Sequence, residues 1–126
     1  MRKILLSTVL AGIAGIAASW PAAAEDSLLR VLVVQTADEA AYVKEVQNLQ
    51  ALLAKNGQQT KLRVWRATLA GADTGAVVVT IEMANLAALA KTLELERTNP
   101  ELAAELKKLN AIRKVTSDSV YDLISH

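Results

Sequence analysis

Hydrophobic and polar positions divide the chain into blocks of different period. Leu28 to Thr36, LLRVLVVQT, is a leucine and β-branched run without a turn residue, which predicts a strand. Thr36 and Glu39 then stand at capping-box spacing, so a helix is expected to start about Ala37. Tyr42, Val46, Leu49 and Leu53 recur at helical spacing, widened by Val43 and Leu52, and Lys55-Asn56-Gly57 supplies a basic last turn and a glycine stop. From Thr60 to Leu69 the period falls to two, with Leu62 and Val64 set against Lys61, Arg63 and Trp65. The loop 70–75 separates this strand from AVVVTIEM (76–83), and a Gly/Asp-rich connection of that length predicts an antiparallel hairpin. Asn85 is placed to cap a helix over Leu86 to about Arg97, and Asn99-Pro100 restarts one carrying Leu102, Leu106, Leu109 and Ile112. Lys114 to Ile124 reads as a last, more polar strand.

Strand, helix, strand, strand, helix, strand is the split βαβ order of an α+β, ferredoxin-like domain. Its four-stranded antiparallel sheet carries the helices on one face. Right-handed crossovers place the first and third strands at the centre, and these are the two most apolar strands in the chain. Helices on one face leave the other open. Leu29, Val31 and Val33 alternate with Leu28, Arg30, Leu32 and Val34, and Val77, Val79, Ile81 and Met83 alternate with Ala76, Val78, Thr80 and Glu82, so both faces are expected to be largely apolar. An uncovered apolar face predicts a symmetric homodimer packed sheet to sheet.

The first 24 residues have a different organisation. Arg2 and Lys3 precede an apolar run from Ile4 to Ala18, then Trp20-Pro21 and Ala22-Ala23-Ala24, which is the order of a secretory signal peptide cleaved near Ala24. The run is shorter than the ~20 residues a bilayer span needs, although an uncleaved anchor is the alternative. The expected product is one domain over 25–126, periplasmic or secreted, with no membrane contact after cleavage. Loss of Arg2 and Lys3 from the 14 basic residues leaves 12 against 13 acidic ones. With the basic residues scattered, nothing marks a nucleic-acid binder. The chain has no cysteine, so no disulfide helps an exported fold, and no lipid-modified cysteine anchors it.

These features resemble the dimeric α/β-barrel superfamily, which includes antibiotic-biosynthesis-monooxygenase-like domains. The resemblance runs over 28–124 and rests on the element order, the hairpin KLRVWRATLAGADTGAVVVTIEM and the broken helix LAALAKTLELERTNPELAAELKKL. It implies pairing through the sheets around a cavity used for metal-free oxidation, haem chemistry or small-molecule binding. Haem-binding members use a histidine, and the one histidine here, His126, is terminal, so no cofactor is expected. Cofactor-independent oxygenases of the superfamily place tryptophan, tyrosine and arginine near substrate. Trp65, Arg63, Arg66 and Tyr121 are residues of those types and are the candidate ligand-binding residues.

Each candidate has a plainer role open to it. Trp65 suits a core or interface aromatic as well as a cavity wall. Arg63, on the same face, and Arg66, on the other, suit solvated edge charges or salt bridges as well as bidentate carboxylate binding. Asp118 and Asp122 are expected to face solvent, and Tyr42 to be a core residue whose hydroxyl reaches the surface. No cysteine nucleophile, Ser–His–Asp set, phosphate loop or metal-ligand cluster is present. The functional expectation is a domain that binds a small apolar or aromatic molecule in its barrel cavity. A cofactor-independent monooxygenase-like enzyme and a stress-associated interaction module without a pocket are the alternatives.

Overall fold

The computed structural model describes residues 27–125, and the leader expected over 1–24 lies outside them. Four strands, β1 (Leu28–Gln35), β2 (Lys61–Arg66), β3 (Val77–Met83) and β4 (Lys114–Asp122), form one antiparallel sheet in the order β2-β3-β1-β4. Three helices, α1 (Glu39–Lys55), α2 (Leu86–Thr98) and α3 (Pro100–Ala111), complete the expected α+β order, with the second helix broken in two at Asn99. Among the described residues no helix is long and apolar enough to cross a membrane.

The strands sit where the apolar runs predict, and register sorts their faces. Leu28, Leu32 and Val34 of β1 pair with Met83, Val79 and Val77 of β3, and all six are buried with Tyr42, Val46, Leu49 and Leu53 of α1 and Leu102 and Leu109 of α3. The alternating residues form the open face. There Leu29, Val31, Val33 and Val78 make an apolar centre, extended by Trp65 beside Val78 and Tyr121 beside Leu29 and flanked by Thr80, Glu82, Arg63, Lys61, Ser117 and Ser119. The apolar area is thus a central strip, narrower than a fully apolar face.

Local signals set most boundaries, with shifts at the start of α1 and at the ends of β2, which stops at Arg66 and not Leu69, and β4, which stops at Asp122 and not Ile124. Asp38, not Thr36, caps α1, its side chain accepting from the Ala41 amide at 3.0 Å. The Thr36 hydroxyl instead donates to the Ile112 carbonyl at 2.7 Å, tying the end of β1 to the end of α3. Asp is as good a cap as Thr, and the hydroxyl has a partly buried carbonyl to satisfy. Gly57, at φ 79°, closes α1 as expected of a left-handed C-terminal stop. Asn99 caps α3 by accepting from the amides of Glu101 and Leu102, with Pro100 at the first helical position. Its amide nitrogen also donates to Asn56 Oδ1 at 3.0 Å, which fixes the α2–α3 corner on the end of α1. That corner determines where the last turn of α2 hangs over the sheet.

Candidate functional site

Between the sheet and the helices lies a chamber of about 220 Å³. Leu32, Val79 and Ile81 of the sheet, Val46 and Leu49 of α1, and Leu106 and Leu109 of α3 give it an apolar body, closed on the β2 side by Leu62. Arg30, Glu96, Asn110 and Arg113 bring polar groups to the β1 side. Three elements converge there: the middle of β1, the last turn of α2, and the end of α3 with the residues after it.

Arg30 is the unexpected member of the buried face. It occupies the position between Leu28 and Leu32, in register with Ile81. Its side chain is 18% exposed and makes a two-bonded ion pair with Asp118 of β4, at 2.9 Å from Nε to Oδ1 and 2.7 Å to Oδ2. Asp118 pairs with Leu32, so the two charges are diagonal neighbours on one face of adjacent strands. The guanidinium hydrogen bonds hold the Asp118 carboxyl below its ordinary range, and the same bonds raise Arg30. Asp118 faces water as expected, at 41% exposure, and in addition serves as the counter-ion that offsets the partial desolvation of Arg30.

Arg113 follows α3 and lies near the negative end of the helix dipole. It donates from Nε to Asn110 Oδ1 at 3.1 Å and from a terminal nitrogen to the Tyr42 hydroxyl at 2.9 Å. Tyr42 is fully buried, so its hydroxyl meets Arg113 inside the protein, not solvent at the surface. Among the described residues Arg113 makes no salt bridge within 4.0 Å, which leaves its positive charge available to an anion.

Glu96 faces both arginines without a hydrogen bond to either among the described residues. Burial raises its pKa above the ordinary carboxylate range. Arg30 and Arg113 oppose that rise, and the Asp118 charge adds to it. A desolvated carboxyl with raised affinity for a proton, beside an arginine without a counter-ion and next to an apolar chamber, is the arrangement of a binding or proton-transfer site.

The residues singled out in the sequence occupy other places. Trp65 and Arg63 lie on the open face of β2, where Trp65 is 50% exposed and its indole N–H donates to Thr80 Oγ1 at 2.8 Å. Both line a second, outer groove of about 510 Å³ between β2 and α1, with Val43, Val46, Gln47, Gln50, Leu62 and Val64. Arg66 is on the opposite face and forms an ion pair with Glu39 at the start of α1. Tyr121 is 56% exposed on β4, in register with Leu29 and with two strands between it and Trp65. The structure thus brings Trp65 and Arg63 together, and places Arg66 and Tyr121 elsewhere. Sequence reasoning missed Arg30, Glu96 and Arg113 as a group. One signal was available, because an arginine amid LLRVLVV in a central strand requires a buried partner.

A second carboxyl is set apart from this site. Glu105 belongs to the apolar stripe of α3 and is buried, with one carboxyl oxygen unpartnered. Desolvation, followed by its hydrogen bond to Glu45, lifts its pKa to about 7, while Glu45 is lowered by the same bond. Glu105 is therefore the proton donor of the pair. Among the described residues no group of three or more His, Cys, Asp or Glu is placed to hold a metal ion.

No protein-family model matches the sequence, and no curated protein does. Solved structures do match in fold. SnoaB, a cofactor-independent oxygenase from Streptomyces nogalater, superposes with a TM-score of 0.61 at 12% identity, over 80% of this chain and 96% of that one. A dimeric protein of unknown function and ferredoxin-like fold from Bacteroides fragilis gives 0.53 at 17% identity, over 78% and 97%. A dimeric ferredoxin-like protein from an uncultured marine organism gives 0.50 at 14% identity, over 79% and 97%. The resemblance read from the sequence thus holds at the level of fold: this is a ferredoxin-like α+β domain of the kind those proteins share.

Proposed function

We propose that the chain is an exported, dimeric α/β-barrel domain whose inner chamber binds a small apolar or aromatic molecule carrying an acidic oxygen. The observation that carries the reading is the Glu96–Arg113 pair at one end of an otherwise apolar chamber. The apolar walls take a ring, since a cavity of about 150 Å³ already holds benzene. Arg113 takes the anionic oxygen, and Glu96 adjusts its protonation to suit. Export rests on the leader pattern of residues 2–24. Dimer formation is supported by the apolar strip on the open face and by the two fold neighbours described as dimeric.

Calorimetric titration with benzoate between pH 5.5 and 8 tests the site. Saturable binding of one molecule per chain is expected, weakening as pH rises, because an ionised Glu96 repels the anion and a protonated one does not. Binding is then accompanied by proton uptake. Glu96→Gln flattens the pH profile, and Arg113→Met weakens binding about tenfold. Absence of saturable binding by benzoate and by 2-naphthoate overturns the reading.

A second reading has its own support. Glu96 is a base of raised pKa held near two guanidinium groups, in a fold shared with a cofactor-independent oxygenase. A phenol or enol whose hydroxyl met Glu96 would lose its proton there, and Arg113 would stabilise the resulting anion, which is electron-rich enough to react with dioxygen. Oxygen uptake with a panel of quinols separates this enzyme from a binding domain.

A further inference from the structure

The inner chamber and the outer groove share two walls, Val46 of α1 and Leu62 of β2. The seam between these elements is held at both ends by polar contacts. At one end the Gln50 carboxamide donates to the Thr60 carbonyl at 2.8 Å and accepts from the Leu62 amide at 2.7 Å. At the other end Glu39 binds Arg66. Between those two clamps the groove's walls along the seam are Val43 and Val46 on the helix side and Leu62 and Val64 on the strand side. Apart from the clamps themselves, no hydrogen bond among the described residues ties α1 to β2, so side-chain rotation at Val46 and Leu62 can open the seam while the Gln50 contacts hold.

Register supplies the length scale. Arg30, Ile81 and Leu62 lie in one row across three adjacent strands on the same face. Two strand spacings separate Arg30 from Leu62, about 10 Å. A carboxyl-bearing ring anchored at the polar end fills most of that distance, and a para substituent of a few carbons reaches the seam. Beyond it waits an apolar groove ending on Trp65, whose ring is pinned through its N–H and half exposed.

We infer that the ligand is longer than the chamber: an acidic aromatic head with an apolar tail that leaves between Val46 and Leu62 and lies in the outer groove against Trp65. This rests on the chamber reading above, and it assigns Val46 and Leu62 as the pair that sets ligand length. It also gives Trp65 a role at the tail, away from the acidic head.

The test is a titration with benzoate, 4-butylbenzoate and 4-octylbenzoate, each below its micellar concentration, on the folded chain and two surface variants. Affinity should rise by about threefold per methylene from butyl to octyl as the tail leaves water. Trp65→Ala should lower octylbenzoate affinity about tenfold and leave benzoate unchanged. Gln47→Trp, which fills the groove from an exposed helix position, should have the same selectivity and guards against a folding defect in the first variant. Benzoate binding with no gain along the series, or with a gain that neither variant reduces, overturns the tail groove and leaves the chamber standing. If none of the three acids binds, both fall.

Discussion

The two faces of the sheet are made by the same strands, yet they differ in what completes them. On the helix side, Leu28, Leu32, Val34, Val77, Val79, Ile81 and Met83 are each 8% exposed or less, because α1 and α3 lay their leucines across them. On the other side, Leu29, Val31, Val33 and Val78 have only one another, the half-exposed rings of Trp65 and Tyr121, and a polar margin. The first face is completed within the chain and tolerates a partly buried arginine because Asp118 comes with it. The second has no such internal cover, and a twin subunit is the cover we propose. A sheet side closed by its own helices can therefore host a polar site, whereas the strip on the other side is left without cover from the chain's own described elements.

The largest effect that would sharpen this contrast is in the closed core. Leu109→Ala should cost about 3 kcal/mol and lower Tm by about 15 °C in thermal denaturation, since the residue is fully buried and borders the chamber. An equal loss from a truncation at Val31 would break the distinction between the faces.

Val31→Arg tests the open side. A charge without a partner at the centre of the strip should weaken self-association about 100-fold in sedimentation equilibrium, with the far-ultraviolet circular dichroism retained. Wild-type chain that sediments as a monomer at micromolar concentration removes the reason given for the strip.

The smallest effect concerns Glu105, the exception within the closed side. The folded chain keeps a proton on it up to about pH 7, while its ordinary value is 4.5. In that interval the folded state binds more protons than the unfolded one, so this group's contribution to stability falls as pH rises from about 4.5 to about 7. Glu45 and Lys108 act on it directly, the Glu45 carboxylate accepting its hydrogen bond, while Asn48 and Lys44 act on Glu45. Glu105→Gln should raise Tm by about 5 °C at pH 8 and leave it unchanged near pH 4.5. A gain of equal size at both pH values would show that packing, not ionisation, is responsible.

Much of the fold was legible because its signals are local. Asn85, Asn99-Pro100 and Gly57 act within one turn of their own positions, and the apolar periods of 28–36, 42–53 and 76–83 identify strand, helix and strand without reference to anything distant. Local signals left the start of α1 open, since Asp38 and Thr36 are both competent caps and only the distant Ile112 carbonyl chose between them.

The site was legible only in part, for the opposite reason. Arg30 and Asp118 are 88 positions apart, and Arg113 and Tyr42 are 71 apart. The resemblance marked Trp65, Arg63, Arg66 and Tyr121 by residue type, whereas strand register decides which charges share a face. The sequence by itself determined the elements, their order and the sheet they form, because hydrophobic period and capping chemistry are properties of neighbours along the chain. Only the tertiary structure decided that Glu96, Arg30 and Arg113 surround one apolar chamber, because desolvation and long-range pairing arise when distant segments meet.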